Sequence, residues 1–193
     1  MPRAHDDAAV DAVKRRACFV AFPDFAAEET LNHETAARCE RLCLPDGRAL
    51  RLRGEPAAAA EALFDPARLG DEAPGAARLA HDAICGAPID ARRALHARVV
   101  LAGGGAALPG FAARLERELR ALYRDRVGGG DAARAAALRL RVDDPPRRRR
   151  AAFVGAAALA DAMRGVDAFW VQQSEWEEAG PAQCLAKLGG GGA

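Results

Sequence analysis

Lysine is nearly missing from this chain: Lys14 and Lys187 stand alone, and arginine supplies the rest of its 28 basic residues. Those are matched by 27 acidic residues, for a formal net charge of +1. With no surplus of one sign, bulk charge gives no reason to expect a nucleic-acid partner. Aromatic residues are scarce at 5% although half the residues are hydrophobic. Much of the apolar content is therefore alanine, which buries little area, and the expected core is thin for 193 residues. No window approaches the roughly 18 apolar residues of a spanning helix, and no leader-like apolar stretch follows Met1. No membrane insertion is expected, and an intracellular, globular protein is. The five cysteines, Cys18, Cys39, Cys43, Cys85 and Cys184, are odd in number and lack Cys-x-x-Cys spacing. Free, mostly buried thiols are expected rather than disulfides or a zinc site. His81 and His96 lack partnered ligands in sequence and are expected at the surface or core edge.

The chain alternates short helical and strand-like segments. Asp6 or Asp7 is placed to cap a helix carrying Val10, Val13 and Ala17, which runs into a buried strand at Cys18 to Phe22. A polar stretch from Pro23 to Ala37 reads as loop with some helix. Pro45-Asp46-Gly47 between Arg41–Leu44 and Ala49–Leu52 predicts a β-hairpin. Helices are predicted at Pro56–Ala62, at Ala76–Cys85 with Leu79 and Ile84 facing a core, and at Ala91–His96 behind an Asp90 cap. Val99 to Leu101 reads as a short buried strand.

Beyond it, Gly103-Gly104-Gly105 and Pro109-Gly110 lead into the most regular helix. Phe111, Leu115, Leu119 and Leu122 form its apolar stripe, while Arg114–Glu118 and Glu116–Arg120 are expected to pair on its wet side. Val127 to Asp131 reads as a flexible joint, and Leu138 to Val142 alternates as a half-buried strand should. Ala151 to Met163 is an apolar helix, Phe169-Trp170 and Trp176 lie beyond it, and Gly189 to Gly192 closes the chain as a frayed tail.

The run Val100-Leu-Ala-Gly-Gly-Gly-Ala-Ala-Leu-Pro-Gly-Phe111 resembles the second nucleotide-facing turn of the actin superfamily. Leu44-Pro-Asp-Gly47 and Glu61-Ala-Leu-Phe64 fit the family's hairpin and following helix, in the same order. Pro145-Pro-Arg-Arg148, Phe153-Val-Gly155 and Glu175-Trp176 with Gly180-Pro181 fit its C-terminal signature, so the resemblance runs essentially from Val10 to Leu188. Arg114–Leu119, Tyr123–Val127 and a charged segment from Gly128 to Arg139 are similar to the actin-related protein 2 branch rather than to conventional actin.

What the resemblance implies is an α/β fold: one lobe of the actin-like ATPase (ribonuclease H-like) fold, a mixed sheet flanked by helices. Its parts would be a helix and strand entering the second lobe (1–22), a hairpin-containing region (23–75), and a region with the glycine-rich turn and charged insertion (76–150). C-terminal helices and a tail (151–193) would return to a first lobe that this sequence lacks. ATP with magnesium is the family's cofactor. Gly103, Gly104, Gly105, Ala106, Ala107 and Leu108 would lie against the adenosine side, with Lys14, Arg15 and Arg149 nearby. The family usually carries a Met and an aromatic at Ala107 and Leu108, and an acid at Arg15. An arginine cannot accept a ribose hydroxyl's hydrogen bond. Asp-x-Gly-x-Gly, which the family uses to hold phosphates and metal, does not occur in this sequence.

Each of these segments also has a plainer reading. Gly103 to Leu108 suits an ordinary strand-to-helix turn, Lys14-Arg15 a solvated helix end, and Arg147 to Arg150 a solvated edge rather than a nucleic-acid site. Phe169, Trp170 and Trp176 suit both a core and a partner-binding surface. The implied partners are actin filament and monomer, sister subunits of the actin-related protein 2/3 complex, and nucleation-promoting factors, in the cytoplasm and cytoskeleton. A nucleotide-hydrolysing ATPase or kinase-like phosphotransferase is the enzyme alternative, and an inactive fragment is the third. A chain starting at Met1 is expected to expose apolar faces that a first lobe would cover.

Overall fold

The computed structural model describes residues 4–21, 40–44 and 47–189. The loop expected from Pro23 to Ala37, Cys39, the Pro45-Asp46 pair and the tail beyond residue 189 lie outside them. The element order is α1 (Ala4–Ala17), β1 (Glu40–Cys43), β2 (Ala49–Leu52), α2 (Glu55–Glu61), α3 (Ala76–Gly86) and α4 (Ile89–Ala97). It continues with β3 (Val99–Val100), α5 (Phe111–Arg126), α6 (Ala132–Ala137), β4 (Val142–Asp143), α7 (Ala151–Ala162) and α8 (Gln173–Gly189). The chain divides into two units, Met1–Arg149 and Arg150–Ala193.

In the first unit, β1 and β2 form an antiparallel hairpin in which Leu42 faces Leu50. Gly47 turns it at φ 83°, a conformation glycine reaches without a Cβ penalty. In place of one mixed sheet, the described strands form two separate ladders, this antiparallel hairpin and a parallel pair, β3 with β4, whose connection runs through α5 and α6. Leu138 to Val142 does alternate between inward and outward side chains, yet its ladder begins only at Val142. Cys18 to Ala21 is largely buried but pairs with no strand among the described residues; Val20 N–H donates to the Pro109 carbonyl at 2.8 Å, and the Ala21 carbonyl accepts from Arg114 at 3.3 Å. Phe22, the end of that predicted strand, is outside the described residues.

The core is built on α5. Phe111, Leu115 and Leu119 bury against Val20, Ala60, Phe64, Ala77, Leu101 and Leu140, and the Phe64 and Phe111 rings lie 5.1 Å apart. Arg114 departs from the expected wet face: it is buried, and donates to both Glu61 oxygens at 3.2 and 2.8 Å, as well as to Glu118. Glu61 on α2 supplies a carboxylate inside the core, and a buried charge must meet its complement. Glu116 and Arg120 pair at 3.1 Å on the wetter side. Arg120 also donates to the Ala135 and Leu138 carbonyls, which seats α6 on α5.

On α3, Ala77, His81 and Ile84 follow an i, i+4, i+7 stripe, so Leu79 falls on the opposite face and is exposed. His81 and His96 are both core residues, against the surface or core-edge expectation. Pro88, not Asp90, stands at the start of α4. Asp6 and Asp7 fall inside the first turn of α1 rather than ahead of it. The expected joint at 127–131 is a hydrogen-bonded turn: Gly128 and Gly130 donate to the Tyr123 and Arg124 carbonyls, and the Asp131 side chain caps α6. Among the described cysteines, Cys18 and Cys184 are buried, Cys85 is half-buried and Cys43 is exposed, all as free thiols.

The second unit holds α7 and α8. The α7 helix is apolar on all sides and buries none of its residues; Phe153 is 76% exposed. Gly180, at φ 76° and followed by Pro181, breaks α8 into two pieces. Cys184 Sγ reaches back across the break to the Glu175 carbonyl at 3.8 Å. No helix among the described residues is long and apolar enough to cross a membrane.

Candidate functional site

A cleft of about 510 Å³ opens in the first unit where three segments converge. Its walls are α1 through Asp11, Lys14, Arg15 and Cys18; α2 and the following turn through Ala59, Ala60 and Leu63; and the glycine-rich turn with Arg149. Sequence distance is no guide to this grouping, since Lys14 and Arg149 come from opposite ends of the unit.

Local chemistry fixes each wall. On α1, Asp11 and Arg15 pair across one helical turn, the favourable i, i+4 spacing. Gly103 enters its turn at φ 94° and donates to the Arg148 carbonyl at 2.9 Å. Arg148 Nε in return donates to the Ala106 carbonyl at 2.9 Å, and its other end pairs with Asp144. The turn is thus clamped to the 144–148 segment. Gly110, at φ 82°, lets the chain pass under the Val20 carbonyl: a Cβ there would sit 2.5 Å from that oxygen. This close approach holds the turn against the segment leaving α1.

Lys14, Arg15, Gly104, Gly105, Ala107, Leu108 and Arg149 all line the cleft. Gly103 and Ala106 do not; they shape the turn, and Ala106 packs on the core. Arg147, Arg149 and Arg150 are exposed, whereas Arg148 is turned inward as a structural clamp. Sequence reasoning passed over Arg148 because adjacent arginines look alike until one is assigned a carbonyl. Asp11 was also missed, although its spacing from Arg15 is a legible signal.

The charged residues of the cleft are three cations, Lys14, Arg15 and Arg149, and one carboxylate, Asp11. Lys14 and Arg149 side chains make no hydrogen bond or ion pair among the described residues. Burial pushes the Cys18 thiol up, against the opposing pull of Lys14, so it stays protonated at neutral pH. A narrow apolar floor, a glycine backbone open to close approach and a cationic rim suit a flat, anion-bearing ligand.

Phe169, Trp170 and Trp176 belong to the second unit. Phe169 and Trp170 meet edge to face at 5.7 Å, and Trp170 Nε1 donates to the Met163 carbonyl at 2.7 Å. Trp176 is 48% exposed. All three keep apolar surface in solvent rather than filling a core.

The lobe architecture, with a glycine-turn cleft against α1, defines an actin-type domain, and the chain belongs to the actin family: the family model for actin matches residues 2–188. Among curated relatives, actin-related protein 2 of Drosophila melanogaster is 40% identical over 91% of this chain and 44% of its own length. Actin-related protein 2 of Schizosaccharomyces pombe is 38% identical over 97% of this chain and 47% of its own. Actin-related protein 2 of Acanthamoeba castellanii is 38% identical over 93% of this chain and 46% of its own. The chain spans about half the length of these relatives.

Proposed function

We propose that this chain forms the second lobe of a subunit that starts branched actin filaments, working by shape rather than by covalent chemistry. The cleft is the base-and-ribose end of a nucleotide site, and ATP with magnesium is completed by a first lobe. Nucleotide binding biases closure of the two lobes and so switches assembly. The partners are actin filament and monomer, sister subunits of the actin-related protein 2/3 complex and nucleation-promoting factors. The setting is the cytoplasm and cytoskeleton. One observation carries the reading: residues far apart in sequence, Lys14, Arg15, Gly104, Gly105, Ala107, Leu108 and Arg149, converge on one cleft with the polarity an adenosine phosphate needs. The exposed aromatics of the second unit support a protein-contact role.

The test is detection of the native protein in its source cells with an antibody raised to the 128–139 segment, most of which is exposed. Co-precipitation of sister subunits, with a mass matching the full-length relatives, is the expected result. A stable product of 20.3 kDa without those partners overturns the reading. Turnover of ATP by that product, abolished in Gly104→Val, would instead favour the enzyme alternative.

A further inference from the structure

From Gly165 to Ala186 the chain carries Asp167, Glu175, Glu177 and Glu178 and not one basic residue, although lysine and arginine together number 28 in the sequence. Inside this acidic window lies Ser174, the one serine of the chain. It is exposed and sits on the first turn of α8, between irregular backbone at 170–172 and the break at Gly180. So short a helical piece is marginal in water, and opening it to present Ser174 in an extended conformation costs little. Glu177 and Glu178 follow one helical turn on and are exposed too, with Gln173 Nε2 donating to Glu177 at 2.8 Å. Tyr123, the other hydroxyl-bearing residue among the described ones, is half-buried, lies edge-on to His96 at 5.4 Å, and is flanked in sequence by Arg120, Arg124 and Arg126.

We propose that Ser174 is a phosphorylation site for an acid-directed protein kinase, one whose basic substrate groove reads Glu175, Glu177 and Glu178 by charge. The γ-phosphoryl group of ATP passes to Ser174 Oγ: its bond to the bridging oxygen of ADP breaks, the Oγ–P bond forms, and the hydroxyl proton leaves through the kinase's base to solvent. The product carries a charge of about −1.5 to −2 at neutral pH, two residues from Trp176. A hydrated phosphate beside that half-exposed ring opposes its desolvation, so phosphorylation weakens a protein contact made through Trp176. This consequence rests on the proposed contact role of the exposed aromatics; the modification itself does not.

The native protein, parent or variant, is recovered from its source cells, stripped with phosphatase and treated with casein kinase 2 and ATP, and its phosphopeptides are mapped by mass spectrometry. Phosphate on Ser174 is expected, and Ser174→Ala should lose it. Glu177→Gln with Glu178→Gln should slow its incorporation about tenfold, the loss of charge-assisted contacts to the kinase. Circular dichroism melting checks that these exposed substitutions keep the fold. No phosphate on Ser174, or incorporation as fast without the two carboxylates, overturns the site. Modification of Ser174 as readily by protein kinase A, a base-directed kinase, overturns it as well. Sister subunits bound before the kinase treatment should be retained about tenfold less after it, and unchanged retention overturns the regulatory consequence. Absence of sister subunits from the start contradicts the proposed function instead and leaves the kinase result standing.

Discussion

Arg114→Ala leaves the Glu61 carboxylate, itself 5% exposed, without the guanidinium that neutralises it. The substitution deletes two hydrogen bonds to Glu61, at 3.2 and 2.8 Å, one to the Ala21 carbonyl at 3.3 Å, and the stacking of the guanidinium 5.2 Å above the Phe64 ring. Burial opposes charge on Arg114, but its bonds to Glu61 and Glu118 outweigh this and hold its pKa above the ordinary guanidinium value. Breaking such a pair by removing one partner costs about 3–5 kcal/mol, most of it the penalty of a stranded buried charge. Replacing both ends by apolar groups of similar volume, Arg114→Met with Glu61→Leu, should return stability to within about 1 kcal/mol of the parent. Glu118, about a quarter exposed, can then turn to solvent.

Urea unfolding of the parent, Arg114→Met, Glu61→Leu and the double variant measures this as a double-mutant cycle, with Arg114→Ala alongside; the midpoint should fall in the single variants and the slope stay unchanged. A loss below about 1 kcal/mol in Arg114→Ala, the range of exposed ion pairs, would show that the substitution strands no buried charge on Glu61. The same residue ties the segment after α1, α2 and α5 together, and two of these flank the cleft. Arg114→Ala is therefore also expected to weaken any ligand held there.

Gly110→Ala combines a positive φ with a Cβ placed 2.5 Å from the Val20 carbonyl, and is expected to cost more than the roughly 1 kcal/mol of an unfavourable left-handed residue alone; thermal melting checks it. Asp131→Ala removes the side-chain acceptor of the Ala133 and Arg134 N–H groups and should cost about 1 kcal/mol, with loss of amide-exchange protection confined to α6. Burial lowers the His81 pKa, with Arg126 and His96 lowering it further against Asp82. Since the unfolded chain takes up that proton first, stability holds above about pH 6.5 and declines as pH falls from there toward the folded value. His81→Leu should flatten that part of the pH–stability profile.

The elements legible in the sequence were those with a strong local signal. The Phe111–Leu115–Leu119 stripe, the Pro-Asp-Gly hairpin and the glycine-rich turn each carry their own periodicity or turn chemistry. What escaped was decided by tertiary partners. Arg114 looks like a surface residue in a helix full of i, i+4 pairs, and nothing local reveals that Glu61 waits inside the core. Leu79 looks like a core leucine, yet the helix is oriented by Ala77, His81 and Ile84. Cys18 to Ala21 has a strand's composition, but among the described residues it ladders with no strand and is held instead by its bonds to Pro109 and Arg114. At the cleft, the residue types came from family resemblance, while the convergence of α1 with Arg149 and the clamping role of Arg148 needed coordinates.

The ligand proposed for the cleft between α1, α2 and the glycine-rich turn is an adenine nucleotide, held there in the native protein. Photolabelling with 8-azido-ATP, followed by mass-spectrometric mapping of the modified peptides, tests it most directly. Label is expected on peptides containing Lys14 to Cys18 and Gly104 to Pro109, suppressed by excess ATP. Label that falls elsewhere, or that excess ATP does not suppress, contradicts it.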